Sequence, residues 1–485
     1  MHTHLLSLVE RAPQRLFFRR LAASLSKPCE NCGALRLSQA FDIILNPAKA
    51  SCWKCRANAK LIKLALVIPL SVSGLKASDL SSLLSIPLYR RILLSIVSGL
   101  ATFGFRTPQP TGAPLAVVWN FTDQCNLNCV HCYQDAGGEI SSRELSTNEA
   151  LRAVEEMAHS GVAALSFSGG EPLVRNDFYA VAQRASDLGL SLSISTNGTL
   201  IDQEAVDRLL DAGIETVAIS IDSLEPDFHD QFRGVPGSWE QAWDGVQACV
   251  IGGEDGRQFR EIIVNTTLTA HSFRDIPKIH QMAREAGVTR YYVSRILPVG
   301  RGKSASSFDI PPTARKAVLE YLAQQSLKTI KKQQNPLCLA RGMTYYAREC
   351  FEQSQGLFFP VSEIVTGLEA FHQDHFSNRL ARLVRLLGRK AGGCATGITY
   401  CGLSPEGDLL PCAPLSDCRL GSLRDHSFLD IWQNHPVFRY LRERNHLKGK
   451  CGLCDHRQIC GGCRATAYGH TGDFLESDPS CPYPD

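Results

Sequence analysis

The chain has 485 residues, of which 44% are hydrophobic and 20% are charged, and its formal net charge is +3. This composition is typical of a globular protein with roughly two or three domains, and a charge so near zero gives no indication of a nucleic-acid partner. The 19 cysteines occur mostly in closely spaced groups, which is typical of metal sites in a reducing compartment rather than of a secreted disulfide scaffold. The N-terminus shows no signal-peptide pattern, so we predict a cytoplasmic protein, and oxygen-labile sites would suit anaerobic conditions.

Residues 1–113 are predicted to form an N-terminal extension with its own metal site. The spacing Cys29-x2-Cys32-x19-Cys52-x2-Cys55 is that of a zinc ribbon, and four thiolates bind either zinc or a single iron. An apolar stretch follows at residues 61–105, but charged residues and prolines interrupt it. Its uncharged runs are shorter than the ~20 residues that a membrane-spanning helix needs, so we predict no transmembrane segment.

Residues 114–310 alternate between strand and helix patterns. Short apolar or β-branched runs predict six strands, at 116–122, 164–170, 190–197, 216–222, 261–268 and 290–297, with amphipathic helical patterns between them. This alternation predicts parallel β-α-β units. Six such units favour an α/β fold in the form of a partial (β/α)6 TIM-like barrel, with ligands at the carboxyl ends of the strands.

Three cysteines follow the first predicted strand in the spacing CxxxCxxC, at Cys125, Cys129 and Cys132. A [4Fe–4S] cluster is normally held by four cysteines, so three would leave one iron open to a small molecule. A structural zinc site or scattered core cysteines are the alternatives. The spacing resembles that of the radical S-adenosylmethionine (radical SAM) superfamily. The resemblance implies that the open iron binds S-adenosylmethionine (AdoMet), that reductive cleavage gives a 5′-deoxyadenosyl radical, and that ferredoxin or flavodoxin supplies the electron.

The turn Gly169-Gly170-Glu171-Pro172 follows the second predicted strand. Two glycines let a backbone approach a ligand closely, and carbonyl and carboxylate oxygens are acceptors suited to an ammonium group. In this position the turn also resembles the radical SAM superfamily. The resemblance implies that Gly169, Gly170 and Glu171 hold the amino group of AdoMet.

The resemblance implies four further AdoMet contacts: two at strand ends, one in the segment after the fourth strand and one beside the cysteines. Asn197 is expected to contact the ribose or carboxylate, although its Asn-Gly sequence is also a common turn. Ser220 is expected to contact AdoMet, and Arg233 to pair with its carboxylate through two parallel hydrogen bonds. Tyr133 is expected near the adenine, or else is simply a loop aromatic. Residues 297–302 resemble the end of the barrel in relatives and are expected to be architectural.

Residues 391–485 contain eight cysteines in a pattern that resembles the SPASM extension of radical SAM enzymes. The resemblance implies two auxiliary [4Fe–4S] clusters with interleaved ligands. The first ligand set is Cys394, Cys401, Cys412 and Cys463. The second ligand set is Cys451, Cys454, Cys460 and Cys481. Two residues rather than the usual three separate Cys460 from Cys463, which leaves their assignment open, and a double zinc knuckle is the alternative because thiolates bind both metals.

Residues 311–390 are predicted to form a bridge that includes a basic amphipathic helix at 379–389, and residues 5–21 repeat this pattern. Such helices suit an anionic membrane surface, or they pack on the barrel with solvated arginines. On the membrane interpretation, we favour an oxidoreductase at the membrane periphery that acts on a membrane lipid or another hydrophobic molecule. A ribosomally made peptide is one alternative substrate. A tetrapyrrole is another, because residues 461–465 resemble haem-pathway SPASM enzymes. A zinc-binding interaction protein is the alternative outside the enzymes.

Four cysteines belong to none of these groups: Cys249, Cys338, Cys350 and Cys418. Free cysteine behaves as a small apolar residue. We therefore expect buried, inert thiols, with a position facing the substrate as the alternative for the last three.

Overall fold

In the computed structural model, the described residues are 12–46, 52–72, 81, 84–137, 143–332, 337–341, 343–353 and 393–483. Four helices come from the N-terminal extension: α1 (Ala12–Leu25), α2 (Arg36–Leu45), α3 (Trp53–Val72) and α4 (Pro87–Phe103). Within the described ranges, no helix combines the length and the apolar character needed to cross a bilayer. The predicted basic helix at 379–389 lies outside the described residues.

The central part of the chain alternates strands with helices. Its elements are β1 (Ala116–Asn120), α5 (Thr147–Ser160), β2 (Ala164–Ser168), α6 (Phe178–Asp187), β3 (Ser191–Thr196), α7 (Gln203–Asp211), β4 (Ile214–Ser220), α8 (Pro226–Arg233), α9 (Ser238–Ile251), β5 (Glu261–Leu268), α10 (Ile276–Glu285) and β6 (Arg290–Arg295). The remaining elements are α11 (Pro312–Lys332), β7 (Leu337–Arg341), α12 (Tyr346–Gln353), β8 (Tyr400–Leu403), β9 (Leu409–Leu410), α13 (Phe428–Asn434), α14 (Pro436–Arg442), α15 (Gly449–Leu453) and α16 (Arg464–Thr471).

The strands form one nine-stranded sheet in the order β7-β6-β5-β4-β3-β2-β1-β8-β9. Neighbouring strands are parallel, except that β8 and β9 are antiparallel. The order is open rather than closed, because β7 and β9 lie at opposite edges. The predicted α/β fold, a partial barrel with a cysteine-rich C-terminal part and an N-terminal four-cysteine extension, is therefore confirmed.

Three strands were not among the six predicted. β7 pairs with β6 at one edge, and β8 pairs with β1 and carries the short β9. A free edge of β1 would expose unpaired backbone groups, and the C-terminal part of the chain satisfies them. The predicted domain boundaries at residues 113, 310 and 390 stay predictions, and strand pairing spans the last two.

The core lies between the sheet and its helices. All residues of β1 are buried, and the rings of Trp119, Phe121 and Phe167 pack edge-on or stacked with centroids 4.9–6.0 Å apart. Helix α5 begins with a capping box in which the side chains of Ser146 and Glu149 satisfy each other's backbone N–H groups. These features fix the strands whose carboxyl ends carry the site.

The helical extension packs at the opposite, amino ends of the first two strands. Its core joins side chains of α1 to α4 with Leu115 and Ala116 at the start of β1 and with Ala163 and Ala164 at the start of β2. Arg91 of α4 donates from Nη1 to the carbonyls of Ala158 and Val162, at 2.9 and 3.0 Å, and from Nη2 to that of Leu188, at 2.5 Å. Because these carbonyls lie at the ends of α5 and α6, one cation caps two helices and ties the extension to the barrel.

The four ungrouped cysteines are buried or half-buried, as predicted, and their inertness stays a prediction. Cys249, Cys338 and Cys350 are fully buried. Cys418 is half-buried and packs on apolar neighbours. None of the four lines the cavity described next.

Candidate active site

A cavity of about 320 Å³ opens at the carboxyl ends of the parallel strands. Cys125, Cys129 and Cys132, all from the loop after β1, line one side of it. The other side is formed by the C-terminal part of the chain. Three of its cysteines line the cavity there: Cys394, Cys412 and Cys463. One cavity therefore joins two of the cysteine groups that the sequence predicts.

The two glycines after β2 let the cysteine loop lie close to the sheet. The Gly170 N–H donates to the carbonyl of Thr122 and the Glu171 N–H to that of Gln124, both at 2.8 Å. A Cβ on Gly170 would lie 1.9 Å from the Gln124 carbonyl oxygen, and Gly169 has a φ of +118°. A larger side chain at either position would push the cysteine loop away. Both glycines also line the cavity.

Glu171 lies below the cavity rather than in its wall. Its side chain is fully buried, and its two carboxyl oxygens accept hydrogen bonds from the Thr196 hydroxyl at 2.9 Å, from the Asn197 N–H at 2.8 Å and from the Leu173 N–H at 3.1 Å. Burial raises the pKa of Glu171 to about 7, against the effect of these hydrogen bonds. In this arrangement Glu171 holds the ends of β2 and β3 together.

Asn197 and Tyr133 both line the cavity beside the cysteine loop. The Asn197 amide nitrogen donates to Asn126 at 2.8 Å and lies 4.0 Å from the Cys125 sulfur. The Tyr133 hydroxyl donates to the Asn120 amide oxygen at 3.0 Å. Ser220, at the end of β4, lies in the same wall. These predicted contact residues are thus brought together around one space.

Arg233 contributes a buried positive charge next to Cys129. Its Nε and Nη2 lie 2.7 and 2.6 Å from one carboxylate oxygen of Asp222, and its Nη1 donates to the Cys129 sulfur at 3.8 Å. Burial opposes the charge on Arg233, but Asp222 and Cys129 outweigh it and raise the pKa of the guanidinium. Arg233 is thus already committed to Asp222, whereas the sequence predicts that it pairs with an AdoMet carboxylate.

The donor chemistry of the three loop cysteines fits an iron–sulfur cluster. Burial raises the pKa of Cys125 to about 11 and raises that of Cys129, where Arg233 acts in the opposite direction. Buried thiols of this kind become thiolates only when a cation compensates their charge. Bound iron would supply that cation, and Cys125, Cys129 and Cys132 would each hold one iron.

The first predicted auxiliary set is divided by the geometry of β8. Strand side chains alternate between two faces. Tyr400 lines the cavity, and its hydroxyl accepts a hydrogen bond from the Ala413 N–H at 2.9 Å and lies 3.7 Å from the Cys412 sulfur. The next residue, Cys401, packs in the main core with Leu403. The structure therefore brings Cys394, Cys412 and Cys463 to the cavity and leaves Cys401 on the other face.

The second predicted auxiliary set lies behind the cavity wall. The Cys451 sulfur accepts hydrogen bonds from Arg464 at 3.5 Å and from the Asp478 N–H at 3.4 Å. The Cys460 sulfur lies 3.5 Å from the hydroxyl of Thr344, whose own side chain reaches the cavity. Burial raises the pKa of Cys460 to about 12, with further contributions that include nearby Cys481. Cys454 is half-buried and makes no sulfur contact of this kind among the described residues.

The N-terminal group is far more compact. The sulfurs of Cys29, Cys32, Cys52 and Cys55 all lie within 4.8 Å of one another. Among the described residues, no other set of three or more cysteine, histidine or acidic ligands is so close. The four residues could bind a metal ion, as the sequence predicts.

Several cavity residues were given no role in binding or catalysis by the sequence analysis. Arg295, at the end of β6, donates from Nη1 to Thr466 at 3.1 Å, and within the described structure its Nε has no hydrogen-bond partner. Burial lowers the pKa of His131 to about 3, so its ring is neutral where it stacks on Phe232. Arg301, in the predicted architectural segment, donates from Nε to the Cys129 carbonyl at 2.8 Å. For Arg295 the only available signal was its place at a strand end.

Family models agree with this arrangement. The radical SAM superfamily matches residues 119–253, and the SPASM iron–sulfur cluster-binding domain matches residues 394–463. The chain therefore belongs to the radical SAM enzymes that carry a SPASM domain. Membership implies iron–sulfur clusters and AdoMet as cofactors, and the predicted enzyme class is confirmed.

Among curated relatives, the chain is 34% identical over 373 residues to the AdoMet-dependent heme synthase of Methanosarcina barkeri, covering 77% of this chain and 97% of the relative. It is 31% identical to the pre-heme d1 synthase of Dinoroseobacter shibae, covering 77% and 86%. In fold it is similar to Streptococcus suis SuiB bound to the precursor peptide SuiA, with a TM-score of 0.55, 18% identity and coverage of 81% and 80%.

These relatives show that the favoured prediction of a lipid substrate is wrong. The names of the two curated relatives refer to haem-type products, and a tetrapyrrole was one of the alternatives. The error came from reading amphipathic segments as membrane-binding. At the end of the first segment, Leu21 of α1 instead packs on the core of the extension, together with the following Leu25, so the described part of that helix serves internal packing.

Proposed function

We propose that this enzyme modifies a tetrapyrrole. The observation that carries the proposal is the alignment with the M. barkeri heme synthase, which spans nearly the whole length of that relative. The site proposed to do this is the cavity between the two cysteine groups. The cluster and AdoMet, when bound at Cys125, Cys129 and Cys132, supply a radical that removes hydrogen from the substrate.

The cavity chemistry supports a substrate with carboxylate side chains, which biological tetrapyrroles carry. Arg233, Arg295 and Arg301 all reach the cavity. Two of them are committed to Asp222 and to the cysteine loop. Arg295 has its own buried anion, because its Nη1 lies 3.6 Å from the Asp478 carboxylate, but its Nε is a buried donor without a partner in the described structure. A buried guanidinium donor binds a carboxylate strongly. Arg295 is therefore proposed to orient a substrate carboxylate.

The remaining chain residues have supporting roles in this proposal. Gly169 and Gly170 keep the cysteine loop against the sheet, and Asn197, Ser220 and Tyr133 offer hydrogen-bonding groups to AdoMet. The C-terminal cysteines are proposed to hold two auxiliary clusters that carry electrons, for a total of three. A ferredoxin or flavodoxin is the proposed donor. The N-terminal cysteines add a separate site for zinc or a single iron.

The test compares tetrapyrrole and peptide chemistry directly. Anaerobic protein with reduced clusters and AdoMet would be incubated with coproporphyrin, free or iron-bound, and the products analysed by mass spectrometry. We expect a tetrapyrrole product and 5′-deoxyadenosine in wild type, and a weaker absorbance change on tetrapyrrole binding in Arg295→Gln. No binding of any tetrapyrrole, together with a changed peptide fraction in cells that carry the gene, would contradict the proposal.

A further inference from the structure

The four N-terminal sulfurs have the spacing of ligands that share one ion. The Cys29 and Cys52 sulfurs are 3.6 Å apart, and so are those of Cys32 and Cys55. A tetrahedral zinc with Zn–S bonds of about 2.3 Å places its sulfur ligands about 3.8 Å apart. In a cubane each cysteine binds a different iron, which separates the sulfurs further. The spacing therefore fits a mononuclear site.

Two local structures present these sulfurs. Around Cys29 and Cys32 the chain forms a tight turn, in which the Gly33 N–H donates to the Cys29 carbonyl and the Cys29 N–H to the Ala34 carbonyl, both at 2.7 Å. Gly33 has a φ of +71°, which a residue with a side chain rarely adopts. This turn directs both sulfurs to the same side.

The second pair lies at the start of a helix. Cys52 immediately precedes α3, its carbonyl accepts from the Arg56 N–H at 3.1 Å, and Cys55 is in the first turn. The amino end of a helix carries partial positive charge, which stabilises thiolates. A turn and a helix start, separated by α2, thus meet at one point.

Charged groups next to the sulfurs connect the two halves. The Glu30 carboxylate, between the first two cysteines, lies 3.4 Å from the Lys54 ammonium, between the second two, and 3.3 Å from the Arg36 guanidinium. Four thiolates around a divalent ion carry a net charge of −2. The neighbouring Lys54 and Arg36 partly offset this charge.

The position of the group in the fold argues against electron transfer. The extension packs on the amino ends of β1 and β2, whereas the cavity lies at the carboxyl ends. A five-residue strand such as β1 spans about 16 Å, and the four cysteines belong to the extension, at the starts of α2 and α3. Among the described residues, the cavity cysteines are thus at the opposite end of the strands from a redox-active iron in the extension, whereas zinc needs no electron-transfer partner because it has no redox chemistry.

We propose that Cys29, Cys32, Cys52 and Cys55 bind one zinc ion that serves structure alone, joining α2 to α3 and so holding the helical extension in place beneath the sheet. Small helical units with limited cores commonly depend on such an ion for stability. The ion links two segments that are far apart in the sequence. The core of the extension packs on the starts of β1 and β2, so fixing α2 and α3 also fixes the extension against these strands. The zinc ion would have this role whichever substrate the enzyme modifies.

Metal analysis of the wild-type protein is the first test. Anaerobically purified full-length enzyme is expected to contain about one zinc per chain beside its iron, and X-ray absorption at the zinc edge should show four sulfurs at about 2.3 Å. A mononuclear iron–thiolate spectrum without zinc would overturn the assignment of the ion. Four freely alkylated thiols in metal-free folded protein would overturn the site itself.

A variant pair tests the structural role. Cys32→Ser changes the exposed ligand and should abolish stoichiometric zinc and raise hydrogen exchange in α2 and α3, with iron content unchanged. Cys418→Ser, a half-buried cysteine outside every ligand group, should keep the zinc. If Cys32→Ser fails to fold, chelation of zinc from wild type by 4-(2-pyridylazo)resorcinol, with the same exchange measurement, replaces it. Unchanged exchange in α2 and α3 after zinc loss would overturn the structural role.

Discussion

The N-terminal extension and the cavity both present cysteines in CxxC-type groups, yet they arrange the sulfurs differently. In the extension, four sulfurs meet within 4.8 Å, on a turn and a helix start. Around the cavity, Cys125, Cys129 and Cys132 face the same space, but nowhere else in the described residues do three such ligands come so close. The distances between sulfurs, more than the number of cysteines in the sequence, therefore distinguish a single-ion site from a cluster site.

Replacing one cysteine in each region should change the metal content most strongly. Cys129→Ala should remove about four irons per chain, because the cluster has only three cysteine ligands and should not assemble on two. The variant should therefore form no 5′-deoxyadenosine. Zinc content should not change. Cys32→Ser should show the reverse pattern, losing zinc and keeping AdoMet cleavage. Metal analysis and chromatography of the reaction products measure both.

The two regions would not be independent if a single cysteine substitution lowered both the iron and the zinc content. Cys249→Ala provides the control for loss of a buried thiol, since Cys249 lies in the barrel core away from both sites. Loss of zinc in Cys129→Ala, with zinc retained in the control, would contradict the separation.

A second prediction concerns which cysteines of the C-terminal part behave like the cavity group. Cys412→Ala should lower the iron content by about four atoms, since its sulfur faces the cavity. Cys401→Ala should keep that iron, because its side chain packs in the core on the other face of β8. Iron analysis and electron paramagnetic resonance of the reduced protein distinguish the two. Equal iron loss in both variants would restore Cys401 to the ligand set that the family resemblance implies.

Sequence patterns predicted the central fold because its elements are regular. Each of the six predicted strands is present, because buried parallel strands have nearly continuous runs of β-branched and apolar residues that can be recognised in the sequence. β8 was missed because it is short and its sequence, with Gly402 in the middle, has weak strand character. It forms because the backbone groups at the edge of β1 need hydrogen-bond partners. This need arises from the tertiary structure, so a local sequence pattern does not predict it.

The candidate site was predictable where chemistry imposes spacing. Cys125, Cys129 and Cys132 follow a fixed interval, and the Gly169-Gly170 turn is required by a close backbone approach. Arg295 and Thr344 were not predictable, since they reach the cavity only through strand and chain packing. The substrate was predicted wrongly because amphipathic segments fit both a membrane surface and an internal interface.

Glu171 offers a third prediction, which tests the electrostatics below the cavity. Its pKa in the folded protein is raised from 4.5 to about 7 by burial. As pH rises through this window, the unfolded chain ionises while the folded chain keeps its proton, so the free energy of unfolding falls. The fall is at most about 3 kcal/mol, complete above the folded pKa and absent below the unfolded one.

Comparing wild type with Glu171→Gln isolates this effect. The glutamine variant should lack this part of the pH dependence between about pH 5 and 8, as measured by denaturant unfolding under anaerobic conditions. Asp177→Asn is a suitable control, because the pKa of Asp177 is lowered in the folded state. Ionisation of Asp177 therefore raises the free energy of unfolding as pH rises, which is opposite to the effect of Glu171. Parallel curves for wild type and Glu171→Gln would show that the buried carboxylate is compensated by its hydrogen bonds.

A more modest change in stability is expected where the extension is attached to the barrel. Arg91→Ala leaves three carbonyls at the ends of α5 and α6 without their donor and should cost about 2 kcal/mol of unfolding free energy. Arg106→Ala is the matched control. Its ion pair with Glu443 also links residues near the extension to the C-terminal part, but both side chains are more than 40% exposed, so it should cost below about 1 kcal/mol.

The Arg91 variant also tests how far the zinc site acts. If the ion holds only α2 and α3 together, Arg91→Ala should keep its zinc, while hydrogen exchange rises in α4 and at the ends of α5 and α6. If zinc is lost as well, the extension depends on the barrel for its own folding, and the two regions form one cooperative unit. Arg91→Lys separates charge from geometry, because an ammonium keeps the positive charge but cannot reach three carbonyls on two helices with the planar fork of a guanidinium.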